Sequence, residues 1–111
     1  QYTEPVLNWA HIHARGSGAL RTEQDFMRIV DVVKRELGTQ WLNNAYFIFS
    51  GITYGPSGEI EHKRIMDTDI RLEHLIRTIM AYSIKGTLIF ETSGREQDIV
   101  DILDLLADMV R

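Results

Sequence analysis

Three segments with the pattern of a β-strand, each followed by a segment with the pattern of an α-helix, constrain the fold of this chain most. The predicted strands cover residues about 5–12, 45–50 and 86–91. The second is apolar on both faces, as expected of a strand buried in a parallel sheet. Strands that alternate with helices in this way predict an α/β fold made of three consecutive parallel βα units.

The predicted helices carry their own start signals. Thr22–Asp25 forms a predicted capping box, Asp67–Asp69 can cap the next helix, and Ser93–Glu96 is a second predicted capping box. The residues of the last helix expected to face inward are Ile99, Ile102, Leu103 and Leu106. The residues expected on its solvated acidic face are Asp98, Asp101, Asp104 and Asp108.

Three strands are few for a sheet whose helices all lie on one side. If the crossovers are right-handed and wind in one direction, as in a barrel, the inner face of the sheet is left open to water. The residues expected to make that face apolar are Trp9, Phe47, Phe49 and Ile89. Such a face needs further strands or a partner chain to cover it. We therefore expect either that the chain is part of a larger barrel or that it self-associates through this face.

The composition narrows the chemistry that the chain can support. The 111 residues include no cysteine, so any metal must be bound by His, Asp or Glu. The formal net charge of −4 argues against a free-standing DNA-binding domain, although a small groove can still bind phosphate. No apolar run approaches the roughly 20 residues of a membrane span, and nothing resembles a signal peptide. The default expectation is a cytoplasmic protein with no membrane partner.

Two histidines at the end of the first predicted strand are the first candidates for a functional site. Side chains alternate along a strand, so we expect His11 and His13 on one face, just before a loop at Gly16–Gly18. Sites in βα proteins gather at the carboxyl ends of strands, and two imidazoles there suggest a metal or a phosphate. The alternative is that both are ordinary buried histidines.

Acidic residues at two further places are candidates of the same kind. Glu91 ends the third predicted strand, where a carboxylate is expected to bind a metal or a substrate. The alternative is a capping or ion-pair role at the start of the next helix. Glu59–His62 lies in the long loop predicted after the second strand and is a possible ligand cluster, because long loops are often functional.

Taken together, these segments resemble endonuclease IV, and more closely its archaeal-type relatives, within the xylose-isomerase-like group of TIM barrels. The stretches that carry the resemblance are Asn8–Arg15, Phe49–Gly55, Gly58–His62 and Lys85–Ser93. Their order and spacing agree with the family along nearly the whole chain. The resemblance implies that residues 1–111 are the C-terminal part of a TIM (β/α)8 barrel and contain its sixth to eighth strands.

The resemblance also implies a function. Members of this family cleave the phosphodiester 5′ to abasic sites in damaged DNA, with zinc ions bound by His, Asp and Glu. Carried over, His11, His62 and Glu91 are the expected metal ligands, with Mn²⁺ as the alternative metal. His13 and Arg15 are the expected substrate-binding residues, and no residue is assigned as a general acid or base. Ligands from the earlier strands are absent, so the isolated chain is expected to be inactive.

Three residues depart from the family pattern. Asn8 stands where the family has Asp, and Tyr46 and Ile48 stand where histidines are expected. These departures predict an incomplete metal site, or none. Two other functions therefore remain open: a sugar isomerase or epimerase on the same barrel, and a non-catalytic barrel whose metal site has decayed.

Overall fold

The computed structural model describes residues 6–16, 18–55, 58–63, 69–91 and 96–109, which form four strands, four α-helices and a short 3₁₀ helix at Thr39–Asn43. The strands are β1 (Val6–Asn8), β2 (Ala45–Gly55), β3 (Gly58–Lys63) and β4 (Gly86–Glu91). The helices are α1 (Trp9–Arg15), α2 (Glu23–Leu37), α3 (Leu72–Tyr82) and α4 (Glu96–Met109). No helix among these residues is long and apolar enough to cross a membrane.

The parallel part of the sheet places β2 between β1 and β4. Val6 is level with Tyr46 on β2, and β2 and β4 stay in register from Ala45 and Gly86 to Ser50 and Glu91. Helices lie between consecutive parallel strands in the chain, as parallel connections require. The predicted α/β class with three parallel strands is therefore confirmed, and the predicted strand 86–91 is correct at both ends.

The first predicted strand is wrong over residues 9–12. The strand ends at Asn8, whose Oδ1 accepts a hydrogen bond from the backbone N–H of His11 at 3.2 Å. That bond makes Asn8 the N-cap of α1, which runs from Trp9 to Arg15. An apolar run of this length is compatible with either a strand or a helix, and here the cap decides for the helix.

The predicted loop after the second strand is also wrong in part. β2 continues to Gly55 and pairs antiparallel with β3, from Gly51 opposite Lys63 to Gly55 opposite Gly58. The pairing shifts by one residue between Thr53 and Tyr54, which is typical of a β-bulge. Glu59–His62 therefore lies on a strand that pairs antiparallel with β2, and residues 56–57 between the two strands lie outside the described residues.

One face of the parallel sheet is covered by helices and forms the core. Phe47 and Phe49 lie on this face and are 2% and 0% exposed, and Trp9 of α1 is fully buried. The Trp9 ring centroid lies 5.3 Å from that of Phe47, edge to face, and 5.2 Å from that of Phe26 on α2. The prediction that Trp9, Phe47 and Phe49 line the uncovered face of the sheet is wrong. Phe47 and Phe49 lie on the face that the helices cover, and Trp9, as the first residue of α1, packs against that same face.

The opposite face of the sheet, here called the open face, carries the side chains that alternate along the strands with those of the buried face. Val6, Tyr46 and Ile89 lie on it, with 52%, 37% and 37% of their surface exposed. Register partners on parallel strands share a face, so Ile48 lies beside Ile89 there. An apolar open face is thus present as expected, although Ile89 is the one residue correctly assigned to it.

The helix starts follow local hydrogen bonding. At α2 the predicted capping box is confirmed: Asp25 N–H donates to Thr22 Oγ1 at 3.3 Å, and Thr22 N–H donates to Asp25 Oδ2 at 3.0 Å. The backbone N–H groups of Arg21 and Thr22 hold the pKa of the Asp25 carboxyl below its usual value. The predicted cap at Asp67–Asp69 is wrong, since α3 has Arg71 as N-cap with no side-chain hydrogen bond.

The last helix is rotated relative to the prediction. Asp98 is fully buried, and Ile102, one turn later on the same side, is 6% exposed. Ile99 and Leu103 are instead 55% and 60% exposed and line an apolar groove of about 360 Å³ together with Phe90. Asp98 therefore does not lie on a solvated face of α4. Ile99 and Leu103, which the sequence predicts to face the core, line this exposed groove instead. Most of the second predicted capping box falls outside the described residues.

Candidate functional site

The candidate site lies on the open face, at the point where the parallel pairing of the strands ends. Ser50 and Glu91 are register partners on β2 and β4, one step beyond the apolar pair Ile48 and Ile89. Asn8, the last residue of β1, is level with Ile48. The open face therefore changes from apolar to polar at the carboxyl ends of the strands, which is where βα proteins place their chemistry.

Asn8 has a structural task at this edge. Its Oδ1 caps α1, and the side chain is half-buried. Asp and Asn serve about equally well as N-caps. The amide therefore preserves the fold of this corner, while it supplies a neutral side chain where the resemblance implies a carboxylate.

The structure brings two of the candidate residues, His11 and Arg15, to one groove. Both are exposed on α1 and are four residues apart, so they lie on the same side of the helix. They line a groove of about 300 Å³ together with Asn8. An imidazole and a guanidinium beside a strand end can bind an anion, and the imidazole can also bind a metal.

His13 does not share a face with His11, so that prediction is wrong. Residues two apart on a helix point about 200° apart, whereas on a strand they would point the same way. His13 is fully buried, and its Nδ1 accepts a hydrogen bond from Leu20 N–H at 3.0 Å. Its Nε2 lies 2.7 Å from Asp69 Oδ1. Because Nδ1 accepts from a backbone N–H, Nε2 is the nitrogen that donates to Asp69, and this pair of hydrogen bonds favours a structural role over contact with a substrate.

Asp69 connects several elements of this region, and its contacts do not follow from the sequence pattern. Its Oδ2 lies 3.3 Å from Nη2 of Arg21, whose Nε donates to Gly18 O at 2.9 Å. With the bond to His13, the carboxylate joins α1, the loop before α2 and the segment before α3. In the sequence, Asp67–Asp69 has the pattern of a helix cap, and no local pattern indicates a bond from Asp69 to His13.

The structure gives less detail about the remaining candidate ligands, which lie on β3 and at the end of β4. Glu91 is exposed at the end of β4, as predicted. His62 lies on β3 opposite Ile52, and the structure describes only its backbone. Over the described part of the chain, no three His, Asp or Glu side chains gather closely enough to hold a metal. The donor types of His11 and Glu91 nevertheless suit zinc or manganese.

Comparisons with known proteins give one informative similarity. The chain is 27% identical over 96 residues to an uncharacterized protein of Methanocaldococcus jannaschii. The matched region is 86% of this chain and 35% of that protein, so the chain spans about a third of its relative's length. No family model matches the chain. No solved structure matches it significantly.

Proposed function

We propose that this chain is the C-terminal part of an endonuclease IV-like TIM barrel, and that the whole protein is a metal-dependent phosphodiesterase acting at abasic sites in DNA. The observation that carries the proposal is the polar pair Ser50 and Glu91 directly above the apolar pair Ile48 and Ile89. A barrel interior is apolar along the strands and carries its active site at their carboxyl ends.

The barrel part of the proposal has two further supports. The parallel strands follow chain order across the sheet, and their open face is apolar, as the interior of a barrel wall would be. The relative of which the chain covers 35% is roughly 270 residues long, near the ~250 residues typical of a TIM barrel. The remaining strands of such a barrel would cover the open face.

Some side chains of this chain would bind the metal at the proposed site, and another would bind the substrate. Glu91 and His11 would hold a metal, with His62 as the third ligand that the resemblance implies. Arg15, exposed beside His11, would bind a phosphate oxygen of the damaged DNA. Zinc, or manganese as the alternative, would supply an activated water and stabilise the leaving oxygen. Asn8 contributes no charge, so one metal position would be weak or absent.

A non-catalytic barrel is the second candidate, and a specific observation favours it. Tyr46 and Ile48, where the resemblance implies histidines, both lie on the open face, and Ile48 is level with Asn8. Three positions on the proposed wall would thus lack a charged or imidazole ligand. A sugar isomerase or epimerase on the same barrel remains a third candidate, and the net charge of −4 agrees with it.

Cleavage of damaged DNA by the whole protein tests the proposal. We expect the protein, supplied with Zn²⁺ or Mn²⁺, to cut a duplex with one abasic site on its 5′ side and to leave the undamaged duplex intact. A chelator should stop cleavage, and added metal should restore it. Bound zinc without cleavage would contradict the DNA substrate and favour a sugar substrate. A protein that purifies without metal and does not cleave would favour the non-catalytic barrel.

The isolated 111-residue chain is expected to self-associate through its open face. Burial of Val6, Tyr46 and Ile89 against a second copy would remove their apolar surface from water. Sedimentation equilibrium should show dimers or larger species that Ile89→Lys shifts towards the monomer. Val32→Lys is the matched control, because Val32 is 41% exposed on α2, away from this face. A monomer at all concentrations would contradict the prediction.

A further inference from the structure

Ser50 carries a buried hydroxyl that has no partner. The residue is 1% exposed, and its Oγ makes no hydrogen bond in the part of the chain that the structure describes. A hydroxyl that has left water without gaining a partner destabilises the fold, whereas an alanine methyl in the same place would not. The Ser50 hydroxyl is therefore available to donate a hydrogen bond to a group that the described residues do not supply.

The position of Ser50 distinguishes it from other unpartnered groups. Nε1 of Trp9, Nε1 of Trp41 and Nδ1 of His74 are also buried without a hydrogen bond. None of these lies on a strand of the open face. Ser50 does, in the middle of β2 where the parallel pairing with β4 ends, and its register partner there is Glu91.

The geometry between Ser50 and Glu91 limits what the hydroxyl can contact. Neighbouring strands lie about 4.8 Å apart, and register partners point to the same side, so the two side chains are neighbours on the open face. Ser50 is buried and Glu91 is exposed. A ligand arriving at the open face therefore meets the carboxylate, and the buried hydroxyl on the neighbouring strand is available beside it as a hydrogen-bond donor.

We infer that Ser50 is a positioning residue for Glu91 when that carboxylate binds a divalent cation. One carboxylate oxygen ligates the cation, and the Ser50 hydroxyl donates a hydrogen bond to the other. The bond fixes the orientation of the carboxylate and satisfies the buried hydroxyl. The inference rests on the proposed function, because it takes its cation from the metal site proposed there.

Metal affinity of the whole protein tests this inference. Competition of each variant with a chromophoric chelator for Zn²⁺ gives the affinity without any measurement of cleavage. We expect Ser50→Ala to weaken zinc binding by about 10- to 100-fold, the usual effect of removing a hydrogen-bond partner of a metal ligand. Ser50→Thr, which keeps the hydroxyl, should retain the affinity. Thr87→Ala is the matched control, because it removes a hydroxyl from the same face at the other end of β4.

Thermal unfolding of the metal-free protein separates positioning from packing. Since the hydroxyl has no partner there, Ser50→Ala should leave the midpoint unchanged or raise it. A lower midpoint would show that Ser50 serves the fold, and it would overturn the inference. Equal zinc affinity of Ser50→Ala and the natural protein would overturn it as well and leave the proposed function intact. A natural protein that binds no zinc would overturn the metal site and the inference with it.

Discussion

Glu91→Gln in the whole protein is expected to lower metal-dependent cleavage of abasic DNA by more than about 100-fold. The substitution keeps the size of the side chain but removes the charge that attracts the cation. Loss of a hydrogen-bond partner of a metal ligand already costs about 10- to 100-fold, so loss of the ligand charge should cost more. The rate is measured on the abasic duplex at saturating metal, and bound zinc is measured in parallel.

Glu36→Gln is the matched control for this prediction. Glu36 is exposed near the end of α2, where its carboxylate lies 3.7 Å from Arg35, so its loss should change neither zinc content nor rate. Because Glu91 is exposed at a strand end, the glutamine variant should also keep the unfolding midpoint of the metal-free protein. Full cleavage and full zinc content in Glu91→Gln would contradict the assignment of Glu91 as a ligand.

His13→Ala is expected to lower the free energy of unfolding by about 3 kcal/mol. The substitution leaves a cavity at a fully buried site, and it removes the acceptor of Leu20 N–H and the donor to Asp69. The substitution also removes the direct bond between α1 and Asp69 in the segment before α3. Urea unfolding followed by circular dichroism measures the change.

His11→Ala is the matched control, on the exposed side of the same helix. It should change the free energy of unfolding by no more than about 0.5 kcal/mol, as surface substitutions usually do. Asp69→Asn should fall between the two, because the amide oxygen can still accept from Nε2 of His13 while the charge beside Arg21 is lost. Equal effects of His11→Ala and His13→Ala would contradict the placement of these histidines on opposite sides of α1.

The sequence predicted those elements whose signals are local. β4 and the capping box at Thr22 depend on neighbouring residues, and both are correct. The sequence does not predict the start of α1, although Asn8 is a residue that favours N-caps. The apolar run around Asn8 matches a strand as well as a helix, so the local pattern does not decide between the two.

The remaining errors have a tertiary origin. A strand that is apolar on both faces, as β2 is around Phe47 and Phe49, does not reveal which face the helices cover. The bond between His13 and Asp69 joins residues 56 positions apart, so no local pattern can predict it. The sequence places Glu91 correctly at a strand end because β4 itself is correct, whereas the burial of Ser50 without a hydrogen-bond partner is visible only in three dimensions.

The cap at Asn8 allows the charge at the end of β1 to change while the local fold stays the same. The oxygen that begins α1 is common to asparagine and aspartate, so exchange between the two leaves this corner folded. A single replacement of nitrogen by oxygen at the end of β1 would add a negative charge beside His11 without any change of architecture. At the metal site proposed above, one mutational step at residue 8 would therefore add or remove a carboxylate ligand while the fold remains equally stable.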